Sequence, residues 1–332
     1  MSYFLKYRPS TLDNLIGQSH ISDVLKSQIS SWKINNNYLF YGPRGTWKTT
    51  VARILAKAVN CSNPKSYNPC NECQNCLSII NEQNLDFVEI DAASHTQVDN
   101  IREEIIDKSF YPPSSLKKKI YIIDEVHMLS KSAFNALLKI MEEPPSYIMF
   151  ILATTEINKV PDTIISRTQV FNFRNLSQED IKERLEHICN QENIEYEDNA
   201  LCIISKISEG AVRDSIKYLE QISSFWKVTE DNVINFLGVA PNYLIKEFLE
   251  NIKTKNFEKI NLFLEKLQET WIDLTIFIKQ VLLYIDEEFS TDPEFYTELS
   301  TCLNNILFSL KNHPTPILIY KSELYKYIQK NN

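Results

Sequence analysis

The sequence predicts a parallel α/β domain carrying a phosphate loop, with an inserted cysteine knuckle, followed by two all-helical parts. Three observations lead there. A glycine-bounded loop, Gly42-Pro43-Arg44-Gly45-Thr46-Trp47-Lys48-Thr49, joins an apolar run to a segment of helical periodicity. Apolar strand-like runs then alternate with helical stretches, the pattern of a parallel sheet. After about residue 176 the strand pattern stops and helical periodicity runs to the C-terminus.

The elements follow in order. Residues 38–41 (Tyr-Leu-Phe-Tyr) form a buried strand before the glycine turn, and 49–60 form a helix with Val51, Ile54, Leu55 and Val59 on one face. Residues 86–90, 119–123 and 147–153 are further strands, and 130–141 is a helix stopped by Pro144-Pro145. A helix starts after Ser177, which suits an N-cap, with Asp180 in its first turn. Gly238-Val239-Ala240-Pro241 breaks the helical region in two.

The bulk numbers exclude several classes. The 332 residues are 43% hydrophobic, enough for more than one core. A net charge of −8 argues against a generally basic nucleic-acid coat, while leaving room for a local basic surface. There is no signal-like N-terminus and no 18-residue apolar run, so a cytoplasmic protein without a membrane span is expected. Of seven cysteines, Cys189, Cys202 and Cys302 sit among apolar neighbours and are expected to be buried.

The loop approaches G-x-x-x-x-G-K-[ST], in which backbone N–H groups and a helix N-terminus surround phosphates. Lys48 would reach the β- and γ-phosphates of ATP, and the Thr49 hydroxyl would bind Mg²⁺. Trp47 stands where the pattern has glycine. A left-handed backbone there would cost about 1–3 kcal/mol, which counts against ATP binding. The run Ile120-Tyr121-Ile122-Ile123 ends in Asp124-Glu125, a Walker B arrangement or else a solvated turn. In the first reading Asp124 holds Mg²⁺ and Glu125 orients or deprotonates the attacking water. Cys61-x₈-Cys70-x₂-Cys73-x₂-Cys76 has the thiol count and spacing of a structural Zn²⁺ site; unliganded thiols and an iron–sulfur cluster are the alternatives.

These motifs together resemble the gamma/tau clamp-loader ATPases of bacterial DNA polymerase III, in the AAA+ superfamily. The resemblance rests on Tyr7-Arg8-Pro9 with Leu15-Ile16-Gly17-Gln18, the phosphate loop, the four cysteines and Glu89-Ile90-Asp91-Ala92-Ala93-Ser94. It continues through Ile123 to Ser130, Phe134 to Lys139, Glu142 to Pro145, Leu152 to Thr155, Ile165-Ser166-Arg167 and Glu209 to Asp214, covering roughly residues 3 to 240. It implies an AAA+ domain over 1–175 with the knuckle at 61–76, a helical lid over 176–240 and a helical collar for assembly over 241–332.

The resemblance also implies roles. Tyr7, Arg8 and Ile16 would lie against the nucleotide base. Residues Gly42 to Thr50, including Pro43, Arg44, Gly45, Thr46, Trp47, Lys48 and Thr49, would hold the phosphates. Thr155 corresponds to sensor 1 and Arg213 to sensor 2. Arg167 corresponds to an arginine finger acting on a neighbour's ATP; read alone, both arginines would be ordinary surface cations. The implied partners are delta, delta-prime and further gamma/tau subunits, the sliding clamp and primer–template DNA. The sequence ends at Asn332, which would match a gamma-length form. Trp47 keeps a second expectation open, a non-hydrolysing, delta-prime-like ring subunit. The knuckle argues against an unrelated AAA+ helicase loader.

Overall fold

A computed structural model of the chain describes residues 2–94, 105, 108–269, 272–310 and 316–330. It divides into two compact units, one of residues 1–188 with 208–220, the other of 189–207 with 221–332. Residues 176–240, the expected lid, are thus shared between the two.

The first unit is built on a five-stranded, wholly parallel sheet of β1 (Asn37–Tyr41), β2 (Phe87–Asp91), β3 (Lys119–Asp124), β4 (Ile148–Thr154) and β5 (Gln169–Asn172). Its order is β2-β3-β4-β1-β5. All seven residues of β4 are buried, as expected of a central parallel strand covered on both faces. Tyr121 of β3 stacks on Phe150 of β4 with ring centroids 5.3 Å apart. The four strands expected from apolar runs are present. β5 was not expected. It is short and half polar, and only Phe171 among its four residues is buried, so an edge strand left no apolar run to read.

Helix Lys48–Asn60 carries the phosphate loop at its start and is buried along almost its whole length. Ser130 caps helix Lys131–Glu142, its hydroxyl accepting from the Ala133 N–H at 3.3 Å. Ser177 and Asp180 form a reciprocal cap at the start of helix Gln178–Glu192. The Asp180 N–H donates to the Ser177 hydroxyl at 3.0 Å, and the Ser177 N–H to the Asp180 carboxylate at 3.3 Å.

The second unit is helical among its described residues apart from one isolated bridge, Tyr196 to Val228. Gly238 ends helix Glu230–Leu237 in the left-handed conformation at φ 62°, and helix Asn242–Lys253 begins after Pro241. Its core gathers Phe248, Phe263 and Phe277 in mutual contact, with Tyr320 fully buried beside Leu324. Asp273 caps helix Leu274–Glu288 through the N–H groups of Thr275 and Ile276. Cys189 and Cys302 are buried as expected, but Cys202 is exposed. It points away from the face of helix Asp198–Ile207 that buries Ala200, Leu201 and Ile204. Among the described residues, no helix is long and apolar enough to cross a membrane.

Candidate functional site

The strand order sets the site. β4 lies between β1 and β3, so the ends of all three strands meet at one carboxyl edge of the sheet. The phosphate loop leaves β1, Asp124-Glu125 ends β3, and Thr155 follows β4. A cleft of about 540 Å³ opens there, lined by the loop from Arg44 to Thr50, by Asp124 and Glu125, and by Arg213.

The loop's geometry depends on glycine at its first position. Gly42 has φ 147°, and a Cβ there would come within 2.2 Å of the Phe173 carbonyl oxygen. Trp47 adopts φ 78° and ψ 9°, a left-handed conformation that residues with a β-carbon rarely take. Its carbonyl still accepts the first helical bond, from Val51 at 2.8 Å. The side chain is only 4% exposed, and its Nε1–H has no acceptor among the described residues. Trp47 thus combines left-handed strain with an unpaired buried donor, two costs of about 1–3 kcal/mol each.

Lys48 is buried, and its ammonium donates to the carbonyls of Gly42 at 2.8 Å and Pro43 at 2.6 Å. Burial lowers its pKa, opposed by the negative charges of Glu125 and Asp124. Thr49 donates its hydroxyl proton to Asp124 Oδ2 at 2.6 Å, which joins the two motifs across the sheet edge. A hydroxyl beside a carboxylate is the hard-oxygen donor set that suits Mg²⁺.

Glu125 is also left-handed, with φ 46°. Its Oε2 accepts from the Thr155 hydroxyl at 3.0 Å and from the Thr155 N–H at 3.2 Å. His127, almost wholly buried, lies 3.4 Å from the same oxygen and 2.9 Å from the Thr154 hydroxyl. Thr155 therefore reaches the cleft through Glu125 rather than by lining it.

The N-terminal segment forms another wall. Arg8 lines the cleft and donates from Nε to the Thr50 hydroxyl at 2.9 Å. Burial, and then the charge of Arg53, lower its pKa to about 10. The Arg213 guanidinium sits 4.8 Å from the Phe4 ring centroid, a cation–π contact across the cleft mouth. Tyr7 and Ile16 are half-buried nearby in sequence but do not line the cleft, and neither do Gly42 and Pro43. The Tyr7 carbonyl accepts from Arg184, and its ring meets His187 edge-on at 6.3 Å. Arg167 lies outside the cleft lining. Its guanidinium pairs with Glu142 at 2.7 Å and donates to the Thr163 carbonyl at 2.8 Å.

Five lining residues escaped the sequence reading of the site: Phe4, Leu5, Glu89, Asp91 and Ala93. Glu89 and Asp91 alternate along β2, and two carboxylates on one face of an otherwise apolar strand were the available signal. Glu89 forms a two-point ion pair with Arg53, with N–O distances of 2.7 and 2.8 Å.

At the far end of helix Lys48–Asn60 the four cysteines converge. All four sulfurs lie within 4.8 Å of one another, with Cys61 Sγ 3.4 Å from Cys70 Sγ and 4.0 Å from Cys73 Sγ. A tetrahedral Zn–S₄ centre requires edges of about 3.8 Å, so the set fits such an ion. Cys61 caps the phosphate-loop helix and Cys73 the helix Gln74–Ile80, which carries Cys76. Three of the four ligand positions thus lie in loop or at a helix cap and the fourth on a helix. Backbone N–H groups of Cys70 and Cys73 donate to Cys61 Sγ and Cys70 Sγ at 3.4 and 3.3 Å, as thiolate ligands favour.

Comparison with known proteins places the sequence in a family. The chain is 41% identical over 279 residues to the DNA polymerase III subunit gamma of Buchnera aphidicola (subspecies Baizongia pistaciae), covering 83% of this chain and 75% of that one. This chain belongs to the gamma/tau family of DNA polymerase III subunits. It is also 40% identical to the subunit tau of Bacillus subtilis, covering 86% of this chain and 52% of that one. Against the gamma/tau subunit of Mycoplasma genitalium it is 34% identical over 99% of its length, and it spans 54% of that relative. The chain therefore spans about half the length of these two longer relatives. Family profiles match as "DNA polymerase III, delta subunit" over residues 17–177 and "DNA polymerase III clamp loader subunit, ATPase lid domain" over 180–224. The fold resembles the RuvB Holliday junction branch migration motor of Thermotoga maritima at a TM-score of 0.51 and 19% identity, covering 74% of this chain and 79% of that structure. This gamma/tau family member thus shares the fold of that motor over most of its length.

Proposed function

We infer that this family member hydrolyses ATP within a clamp loader, a ring that opens the sliding clamp and closes it on primer–template DNA. The observation that carries this is the 2.6 Å hydrogen bond from Thr49 to Asp124, which brings the phosphate loop and the Walker B carboxylate to one point. Thr49 and Asp124 would hold Mg²⁺, which when bound offsets charge on the phosphoryl oxygens. Lys48 and the N–H groups of the loop bind and orient the phosphates, and Arg213 adds a cation from the cleft wall. Glu125 accepts the proton of the attacking water as the bond between the β-bridging oxygen and the γ-phosphorus breaks. Thr155 orients Glu125 by its two hydrogen bonds. Arg167, outside the cleft, is suited to act on ATP held by a neighbouring subunit. The four cysteines would hold Zn²⁺ as a structural ion. The helical segment beyond residue 241 would supply assembly contacts with delta, delta-prime or further gamma/tau copies, in the cytoplasm.

Trp47 favours a second reading, a ring subunit that holds no ATP and serves through Arg167. Calorimetric titration of Mg²⁺-ATP into the chain and its Trp47→Gly variant decides between them. Binding by both supports the ATPase reading, with the indole accommodated. Binding by the variant alone supports the second reading. Binding by neither overturns the nucleotide assignment.

A further inference from the structure

We propose that the cysteine knuckle positions the N-terminal wall of the nucleotide cleft, with Asn68 and Asn71 as the positioning residues. The proposal rests on the reading of the cleft as a nucleotide site. It starts from where the chain goes after Arg8. Residues 9–18 connect the cleft-lining segment to helix Ser19–Ser30 without regular structure of their own. Such a segment has few backbone partners and must be fixed by side chains from elsewhere.

Three of those side chains come from the knuckle loop between Cys61 and Cys73, and Lys26 of helix Ser19–Ser30 adds a pair to Asp13 at 2.8 Å. The Leu12 N–H donates to Asn68 Oδ1 at 3.0 Å, and Asn68 Nδ2 donates to Asp13 at 2.6 Å. The Tyr67 hydroxyl donates to the same carboxylate at 2.8 Å. Asn71 Nδ2 donates to the Ser10 carbonyl at 3.3 Å, two residues from Arg8. Leu12 is buried at 1% exposure, so the segment is seated rather than draped over the surface.

The phosphate-loop helix ties both ends of this arrangement together. Thr50 accepts from Arg8, and about two helical turns later, on the same face, Lys57 donates to Asn71 and to the Ser10 carbonyl. Cys61 closes that helix and opens the knuckle. Folding of the four thiolates around an ion fixes the loop carrying Tyr67, Asn68 and Asn71. That loop fixes Ser10 to Asp13, and Arg8 is thereby held against Thr50 in the cleft. The knuckle lines no part of the cleft, and it reaches the cleft wall through this segment and through Lys57 of the phosphate-loop helix.

The test uses the metal-loaded full chain and its Asn68→Ala and Asn71→Ala variants. Hydrogen exchange is read over residues 3–15, Mg²⁺-ATP affinity by calorimetry, and zinc content by absorption spectroscopy. With zinc content unchanged, the Leu12 amide is expected to exchange about tenfold faster in Asn68→Ala, the loss of one partly buried hydrogen bond. Mg²⁺-ATP affinity is expected to fall several-fold in both variants. Unchanged exchange over 3–15 overturns the proposal, and so does faster exchange with unchanged affinity. If the natural chain binds no ATP, affinity is read in the Trp47→Gly background. The exchange measurement reads the seating of the segment whether or not nucleotide binds, so failure of the nucleotide reading and failure of this proposal are distinguishable.

Discussion

The two ends of helix Lys48–Asn60 make opposite demands on sequence. At its C-terminal end the knuckle needs four particular side chains, and Cys61, Cys70, Cys73 and Cys76 supply them with sulfurs at ligand spacing. At its N-terminal end the phosphate loop needs a backbone conformation, and side chains matter mainly by being absent. Trp47 takes the left-handed conformation despite its β-carbon, at φ 78°. A side-chain site is therefore lost by one substitution, whereas a backbone site can keep its shape while carrying an unfavourable residue. Burying a large aromatic contributes about 1.5–3 kcal/mol, which offsets part of the strain and of the unpaired donor at Trp47.

This contrast is broken most severely by removing a ligand. Cys76→Ser, on the helical side of the knuckle, is expected to abolish zinc retention and lower unfolding stability by about 3 kcal/mol or more, measured by denaturant unfolding with and without chelator. Equal zinc content in the variant and the natural chain would refute the four-thiolate site. The next largest effect is expected at the carboxyl edge of the sheet. Glu125→Gln should leave Mg²⁺-ATP affinity within about threefold and lower the hydrolysis rate about a hundredfold or more, checked by phosphate release. The background for that measurement is whichever of the natural chain and Trp47→Gly binds nucleotide.

A third loop sharpens the comparison, because one carboxylate gathers three of its backbone N–H groups. Asp86 accepts from the N–H groups of Ser114, Ser115 and Leu116 at 2.7–3.1 Å. Burial pushes its pKa up, but the N–H groups of Ser115, Ser114 and Leu116 outweigh this and hold it below the ordinary carboxylate value. Its contribution is therefore fully present above about pH 4 and is lost as pH falls through the lowered folded value. Asp86→Asn is expected to cost about 1–3 kcal/mol at pH 7 and to flatten the acid limb of the stability curve, read by urea unfolding across pH. The smallest expected effect returns to the phosphate loop. Trp47→Phe keeps a ring and removes the unpaired indole N–H, so stability should rise by about 1 kcal/mol, or a few degrees in Tm. A fall would show that the packing lost with the indole outweighs the removed donor.

Much of the site was legible where chemistry resides in residue types. Lys48, Thr49, Asp124 and Glu125 stand together in the cleft, and the four thiols converge as their spacing implied. Legibility failed where only geometry decides. Phe4 and Leu5 gave no sign in sequence that they would line the cleft, since apolar residues near an N-terminus fit many roles. Glu89 and Asp91 were visible as charges on a strand, but their direction depended on β2 lying beside β3, with Asp91 paired to Asp124. β5 was missed because an edge strand need not be apolar.

The sequence by itself determined the alternation of strands and helices, the motif residues and the family resemblance. Each is written in local periodicity or residue type, which a chain carries before it folds. The tertiary structure alone decided that β4 separates β1 from β3, so that Thr155 meets Glu125 between the two motifs. It also decided that Asn68 and Asn71, far along the chain from Leu12 and Ser10, lie within hydrogen-bond reach of them. Those contacts depend on strand order and on the path of one buried helix, and no local window of sequence specifies either.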